Sequence, residues 1–204
     1  MSRKHYGLVI GAIVAIICLG MVWWPEPSQP RQHQRSSPLP DDFTQTKPAK
    51  TKASPRDMSE PRTLRIPALK LEAPIESVGL TKSGDMDVPS SDKSVGWYRF
   101  GPVPGNVGNA VLAGHLDVHG KPAIFWDLQN LRLGDVIEIK DDKGQTARFK
   151  VNATQAFKLA DAPLERIFGN SDQRHLNLIT CSGAWHNDQR DYSERLVVFT
   201  QLLE

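Results

Sequence analysis

Cysteine is scarce in this chain, with 2 among 204 residues. Two cysteines are too few for the four-ligand zinc sites of small metal-binding modules. An excess of charge of one sign is also missing, because 25 Lys and Arg residues face 23 Asp and Glu residues and give a net charge of +2. Basic residues rarely cluster, so no nucleic-acid-binding surface is indicated. No strong internal repeat is visible, and a long helical period is missing after residue 63, which excludes a doubly wound α/β fold.

The N-terminal 24 residues contain a run without charge. This run covers residues 7–24 and follows Arg3 and Lys4. Its length is near the minimum for a transmembrane helix. A cleaved signal peptide is the alternative, but it has a shorter apolar core and a small-residue cleavage site, which this run lacks. We therefore expect residues 1–24 to be a single-pass membrane anchor, with the basic residues in the cytoplasm and the remaining chain extracytoplasmic.

Residues 25–62 differ in composition from the rest of the chain. Prolines recur through this stretch with Ser, Gln, Thr and Lys between them, and large apolar residues are few. Such a segment cannot bury enough apolar surface to offset the entropy of ordering it. We interpret it as an extended, partly polyproline-like linker between the anchor and a folded domain.

Residues 63–204 have the composition of a globular, mostly β domain. Short extended segments alternate with Gly and Pro turns, a pattern that favours a barrel or a sandwich. A helical turn is expected at 125–131, and a short helix at 163–168. The predicted strands are 64–67, 73–78, 95–100, 109–116, 135–140, 146–158, 176–180 and 195–203.

Cys181 ends the apolar segment 176–181 and is the one cysteine outside the predicted anchor. Exported proteins usually pair their cysteines, so an unpaired one suggests a reactive thiol. Free cysteine is also often buried as a small apolar residue. On these grounds alone, an inert core residue and a catalytic thiol are both open.

Three residues that are distant in sequence are expected to meet at one end of the sheet. If the last two strands pair antiparallel, Cys181 lies beside Arg195, below a loop at 182–194. His115 follows the strand at 109–114 and would reach the same end. A thiol of ordinary pKa is about 3% thiolate at pH 7, and a neighbouring cation raises that fraction. Imidazole can transfer protons and guanidinium can stabilise an oxyanion, so the trio suits acyl transfer.

These residues resemble the motifs of a known family. Segment 177–181 (NLITC) resembles the T-L-x-T-C signature of sortases, the cysteine transpeptidases of the bacterial cell surface, with Asn177 in place of the first threonine. Segment 114–117 (GHLD) resembles the surroundings of the sortase histidine. Segment 194–198 (ERLVV) resembles those of the arginine on the last strand. Three further segments fit as well, particularly the class F or class E-like branch: 64–67, 122–125 and 133–135.

The resemblance implies an all-β fold, a closed eight-stranded sortase-type barrel with one or two short helices. Cys181 would attack an LPxTG-like sorting signal and form a thioacyl-enzyme, and an amine from a peptidoglycan precursor or a pilin lysine would resolve it. His115 would act as general acid and then base, Arg195 would stabilise substrate and oxyanion, and Thr180 would help to shape the site. No cofactor is implied. A loop at 158–174 would line the sorting-signal groove with apolar residues, namely Ala162, Pro163, Leu164, Ile167 and Phe168.

Two other functions are compatible with parts of the sequence. His115, Asp117 and His119 alternate, so in a strand they would share one face and could bind zinc, as in an extracytoplasmic zinc hydrolase. Gly120 indicates that the strand has ended by then, and we expect no metal here. A non-catalytic surface-binding β domain is the other alternative, in which Cys181 would be unreactive at neutral pH.

Overall fold

The computed structural model describes residues 57–188 and 190–203, and the fold is a closed barrel of eight strands. This confirms the expected all-β architecture. Neighbouring strands around the barrel follow the order β1-β2-β3-β4-β9-β10-β8-β7, and β5 and β6 form a separate two-stranded sheet. The strands are β1 (Pro61–Ile66), β2 (Leu71–Val78), β3 (Val95–Tyr98), β4 (Gly108–Ala113), β5 (Asp117–Val118), β6 (Lys121–Pro122), β7 (Val136–Asp141), β8 (Thr146–Lys158), β9 (Arg174–His186) and β10 (Asp191–Leu202).

Helical structure is confined to short connections in the described residues. The one α-helix, α1 (Leu164–Phe168), lies between β8 and β9, close to where the sequence predicted it. Single 3-10 turns occur at Pro67–Leu69, Leu128–Asn130 and Leu159–Asp161. No helix among the described residues is long and apolar enough to cross a bilayer. The anchor predicted at 1–24 and most of the predicted linker lie outside the described residues.

The wall formed by β4, β9 and β10 is buried on both faces. Leu112, Leu176 and Leu178 point into the barrel and belong to its main core. On the outer face, Val111 and Val197 belong to a second cluster that includes residues of α1. Side chains of a strand alternate between the two faces of a sheet. The odd-numbered residues of β4, β9 and β10 along this wall therefore face outward, toward α1.

The domain begins slightly earlier than composition predicted. β1 starts at Pro61, inside the stretch assigned to the linker. The preceding residues are already attached to the barrel, because the Ser59 backbone N–H and hydroxyl donate to Asp141 at 3.1 and 2.9 Å. The Met58 N–H donates to the Asn106 side chain at 2.7 Å. These partners are distant in sequence, so composition could not indicate them.

The prediction of a long loop at 182–194 is wrong. β9 continues past Cys181 to His186, and β10 begins at Asp191, so the two strands form an extended hairpin. Trp185 pairs with Tyr192 across it, and their rings meet edge to face with centroids 5.2 Å apart. Such cross-strand aromatic pairs stabilise a hairpin without an alternating apolar pattern. The pairing register shifts between Tyr192 and Glu194, which marks a bulge just before Arg195.

Candidate active site

Cys181 and Arg195 are direct partners in the ladder between β9 and β10. Directly opposed residues of an antiparallel pair carry their side chains on the same face, with Cβ atoms about 5 Å apart. By the alternation described above, that face is the outer one. The predicted adjacency of these two residues follows from a single register, and the structure places both on the outer wall, half-buried.

His115 reaches the same level from the other side of Cys181. β4 runs parallel to β9 with Ala113 beside Ile179, and the Gly114 N–H donates to the Ile179 carbonyl at 3.1 Å. Two residues further along each chain bring His115 level with Cys181. A side chain at Gly114 would begin 2.5 Å from the buried Phe125 ring, so glycine permits this close path.

A carbonyl on a neighbouring connection fixes the His115 ring. Its Nε2 atom lies 3.1 Å from the Pro89 carbonyl oxygen. Because a carbonyl only accepts, Nε2 carries the hydrogen, and in the neutral ring Nδ1 is left as the acceptor. No hydrogen bond joins His115 to Cys181 among the described residues. Proton transfer between them therefore requires a small movement or an intervening substrate group.

The surroundings of the Cys181 thiol raise its pKa. Burial raises its pKa, and the Arg195 guanidinium lowers it, while the carboxylates of Asp191 and Asp117 raise it. The net direction is upward. A thiol with a raised pKa is a poor nucleophile until a base accepts its proton or substrate binding changes its surroundings. This arrangement suits a nucleophile that becomes reactive only after its substrate has bound.

Three hydrogen bonds hold the Arg195 guanidinium. Nη1 donates to the Tyr192 and Glu194 carbonyls at 3.2 and 3.0 Å, and Nη2 donates to Asp191 Oδ2 at 2.7 Å. A guanidinium has five N–H groups. One Nη2 hydrogen and the Nε hydrogen are therefore left to bind a substrate carbonyl or an oxyanion.

The family follows from a comparison with protein-family models. The model described as Sortase domain matches residues 64–203. The chain belongs to the sortase family. Members of this family are cysteine transpeptidases, and the match covers the barrel from the fourth residue of β1 onward, together with Cys181, His115 and Arg195.

Solved sortase structures share the fold at low sequence identity. Sortase A from Corynebacterium diphtheriae is 21% identical with a TM-score of 0.56, over 75% of this chain and 63% of that chain. Sortase C1 from Streptococcus suis is 21% identical with a TM-score of 0.54, over 71% and 74%. Sortase C-1 from Actinomyces oris is 23% identical with a TM-score of 0.54, over 70% and 73%. The comparison with curated protein sequences gave no match. The class F or class E-like branch stays a prediction.

The sortase signature residue Thr180 faces the barrel interior. It is 3% exposed, and its hydroxyl donates to the Gly114 carbonyl at 2.8 Å. The buried hydroxyl is not exposed to a ligand. It instead joins β9 to the segment that carries His115.

The residues predicted to line the sorting-signal groove divide into two groups. Leu164 is 63% exposed and, with Phe168, lines a cleft of about 500 Å³. Ala162 and Pro163 are half-buried on the connection that leads into α1. Ile167 is 2% exposed and packs into the outer cluster, so it supports the helix and is not available to a ligand in this structure.

The zinc alternative finds no support in the geometry of this sortase. Asp117 Oδ1 accepts the Tyr192 hydroxyl at 2.9 Å, and Oδ2 accepts the Gly120 N–H at 2.9 Å. His119 sits in a left-handed turn with φ of 53°. Within residues 57–188 and 190–203, no three His, Cys, Asp or Glu side chains are placed to hold a metal ion.

Sequence reasoning missed the residues that support the connection in contact with His115. Glu76 on β2 accepts hydrogen bonds from the Ser90 N–H and hydroxyl at 3.0 and 2.9 Å, and one from the Ser94 hydroxyl. The Ser94 bond is the main cause that lowers the pKa of Glu76, against the opposing effect of burial. Ser90 follows Pro89, whose carbonyl meets His115. Polar residues in a connection give no sequence signal for such a chain of contacts.

Proposed function

We propose that this sortase is a membrane-anchored cysteine transpeptidase that cleaves an LPxTG-like sorting signal and transfers the acyl group to an amine outside the cytoplasm. The observation that carries the proposal is the register of the wall: β10 pairs Arg195 with Cys181, and β4 brings His115 to the same level. Thiol, imidazole and guanidinium thus share one end of the barrel, as acyl transfer requires.

In the first step, the Cys181 sulfur attacks the scissile carbonyl and a carbon–sulfur bond forms. His115 accepts the thiol proton as the thiolate attacks, and passes that proton to the leaving amine as the carbon–nitrogen bond breaks. The two free N–H groups of Arg195 stabilise the oxyanion that develops on the carbonyl oxygen. The products of this step are a thioester on Cys181 and a free amine.

In the second step, an incoming amine attacks the thioester carbonyl. His115 accepts the proton that this amine loses, and the carbon–sulfur bond breaks as the new amide forms. The sulfur leaves as a thiolate and recovers its proton from the imidazolium. The raised pKa of Cys181 favours this return to the protonated resting state.

The proposed membrane topology of the protein rests on its sequence. The uncharged run at 7–24 follows basic residues, and a Pro-rich stretch separates it from the barrel. An anchor with a spacer would present the active site on the extracytoplasmic side of the cytoplasmic membrane. The acceptor amine would then come from a peptidoglycan precursor or a pilin lysine.

The test is mass spectrometry of the full-length protein after incubation with a library of LPxTG-like peptides. We expect a thioester adduct on the peptide that contains Cys181 and none on the cysteine of the N-terminal run. Cys181→Ala should abolish both the adduct and cleavage while the barrel stays folded by circular dichroism. Full cleavage by Cys181→Ala would refute the proposal, and so would wild type that forms no adduct with any peptide of the library.

A further inference from the structure

Two asparagine side chains are buried in the outer wall of the barrel. Asn177 on β9 is 1% exposed, and Asn109 on β4 is 6% exposed. Asn177 lies among the apolar residues of the outer cluster and stands where the sortase signature has threonine. A buried amide without a partner is destabilising by a few kcal/mol. Each of these two amides therefore needs a hydrogen-bond partner close to its buried position.

Both amides bind the end of α1. Asn177 Nδ2 donates to the Ile167 carbonyl at 2.8 Å, and Asn109 Nδ2 donates to the Gly169 carbonyl at 2.8 Å. The last carbonyls of a helix have no partner within the helix. The amides supply those partners from the barrel wall. His175 Nδ1 lies 2.9 Å from Asn109 Oδ1 and orients that amide.

Apart from these two hydrogen bonds, α1 is held to the barrel by side-chain packing. A five-residue helix is too short to be stable alone. Its N-cap is Pro163, and no side chain caps that end. The remaining attachments are the buried Ile167 side chain, the Phe168 ring, whose centroid lies 5.7 Å from that of Tyr98, and the Arg166 guanidinium, which lies 3.7 Å from the centre of the Phe199 ring. These contacts are non-directional compared with two hydrogen bonds to main-chain carbonyls.

The placement of α1 decides which part of the outer wall is open. The helix packs on Val111 and Val197, which share the outer face with Cys181. Beyond it, toward the start of β4 and away from Cys181, lies the cleft of about 500 Å³ that Leu164 and Phe168 line. A peptide bound along this wall toward Cys181 would pass beside α1. A change in the position of the helix would therefore alter the width of the groove.

We propose that Asn109 and Asn177 are positioning residues that hold α1 at the height over the outer wall at which the sorting-signal groove fits its peptide. This inference rests on the proposed function for the identity of the peptide, but the amide clamp itself is a property of the fold. Asn177 lies on β9, the strand that also carries Cys181, so the same strand positions both α1 and the thiol.

The test compares three variants of the full-length protein. Asn177→Leu keeps the branched shape of the side chain and removes the donor, and Asn109→Ala removes the second donor. Asn106→Leu is the matched control, because Asn106 also binds main-chain groups, at Met58, but makes no hydrogen bond to α1. Hydrogen exchange of the 163–169 segment and the kinetic constants for peptide cleavage are measured for each.

We expect the two clamp variants to speed exchange at 163–169 about fivefold to tenfold, the effect of losing one buried hydrogen bond. KM for the peptide should rise by a similar factor with kcat within about twofold of wild type, while Asn106→Leu changes neither. Unchanged exchange in both clamp variants would overturn the inference. An equal rise of KM in Asn106→Leu would also overturn it, because general loosening would then explain the effect. If wild type cleaves no peptide, the proposed function fails, and exchange alone decides the clamp.

Discussion

Arg195→Lys is the sharpest test of how the guanidinium acts. The substitution keeps a positive charge next to Cys181 but replaces a planar fork of donors by a single ammonium group. In the structure, Arg195 uses three N–H groups on the protein, at Tyr192, Glu194 and Asp191, and has two left. An ammonium has three donors on one nitrogen, so it cannot hold these partners and reach an oxyanion as well.

The expected loss follows from this count of donors. Removing one oxyanion donor from an acyl-transfer site lowers kcat by about 100-fold to 1000-fold, or about 3 to 4 kcal/mol. We expect a loss in that range for Arg195→Lys and a loss at least as large for Arg195→Ala. If charge alone mattered, the lysine variant would retain most of its activity, because its ammonium remains near the thiol.

The assay is cleavage of an LPxTG-like peptide, with kcat and KM measured separately. Arg148→Lys is the matched control, since Arg148 is 65% exposed and its one ion pair is to Glu138, away from Cys181. The control should have the activity of wild type, and thermal unfolding should show that both variants are folded. Activity of Arg195→Lys within threefold of wild type would refute the donor argument.

Four further predictions concern the thiol, its neighbours and the attachment of Ser59 to the barrel. Because burial and then Asp191 and Asp117 raise the pKa of Cys181, its alkylation by iodoacetamide should be slow at pH 7 and accelerate only at alkaline pH. Asp191→Asn should move that profile to lower pH, since a charge that opposes the thiolate is removed; an unmoved profile would contradict this. Tyr192→Phe removes the bond to Asp117 and should lower the free energy of unfolding by about 1 kcal/mol in urea titrations. Asp141→Ala removes four accepted hydrogen bonds and should lower it by about 3 kcal/mol, and a loss below about 0.5 kcal/mol would count against their role.

The barrel and its reactive residues could largely be predicted because both depend on regular patterns. The apolar period of the last two strands predicted that Cys181 and Arg195 would be neighbours, and one antiparallel register confirms it. The strand predicted at 146–158 agrees with β8 at both ends. The pattern of apolar and polar residues along a strand is a property of the sequence itself, so it can be recognised without knowledge of the partner strand.

What could not be predicted depends on partners distant in the chain. The hairpin beyond Cys181 is polar, and its stability comes from pairing across the strands, including the contact between Trp185 and Tyr192. The amide of Asn177 gave no signal of its partner, because the Ile167 carbonyl belongs to another element. The carbonyl that fixes His115 belongs to a connection without regular structure. Such contacts require three-dimensional placement and leave no period in the sequence.

The residues proposed to react and the surfaces that would select a peptide lie on different parts of the barrel. Cys181 and Arg195 stand opposite each other within paired strands. The cleft that would meet a ligand is lined instead mostly by connections, at 80–86, 100–102 and 164–171. Exchange of these connections between related barrels could therefore change which peptides are accepted without disturbing the nucleophile, so new preferences can arise while the chemistry is inherited intact.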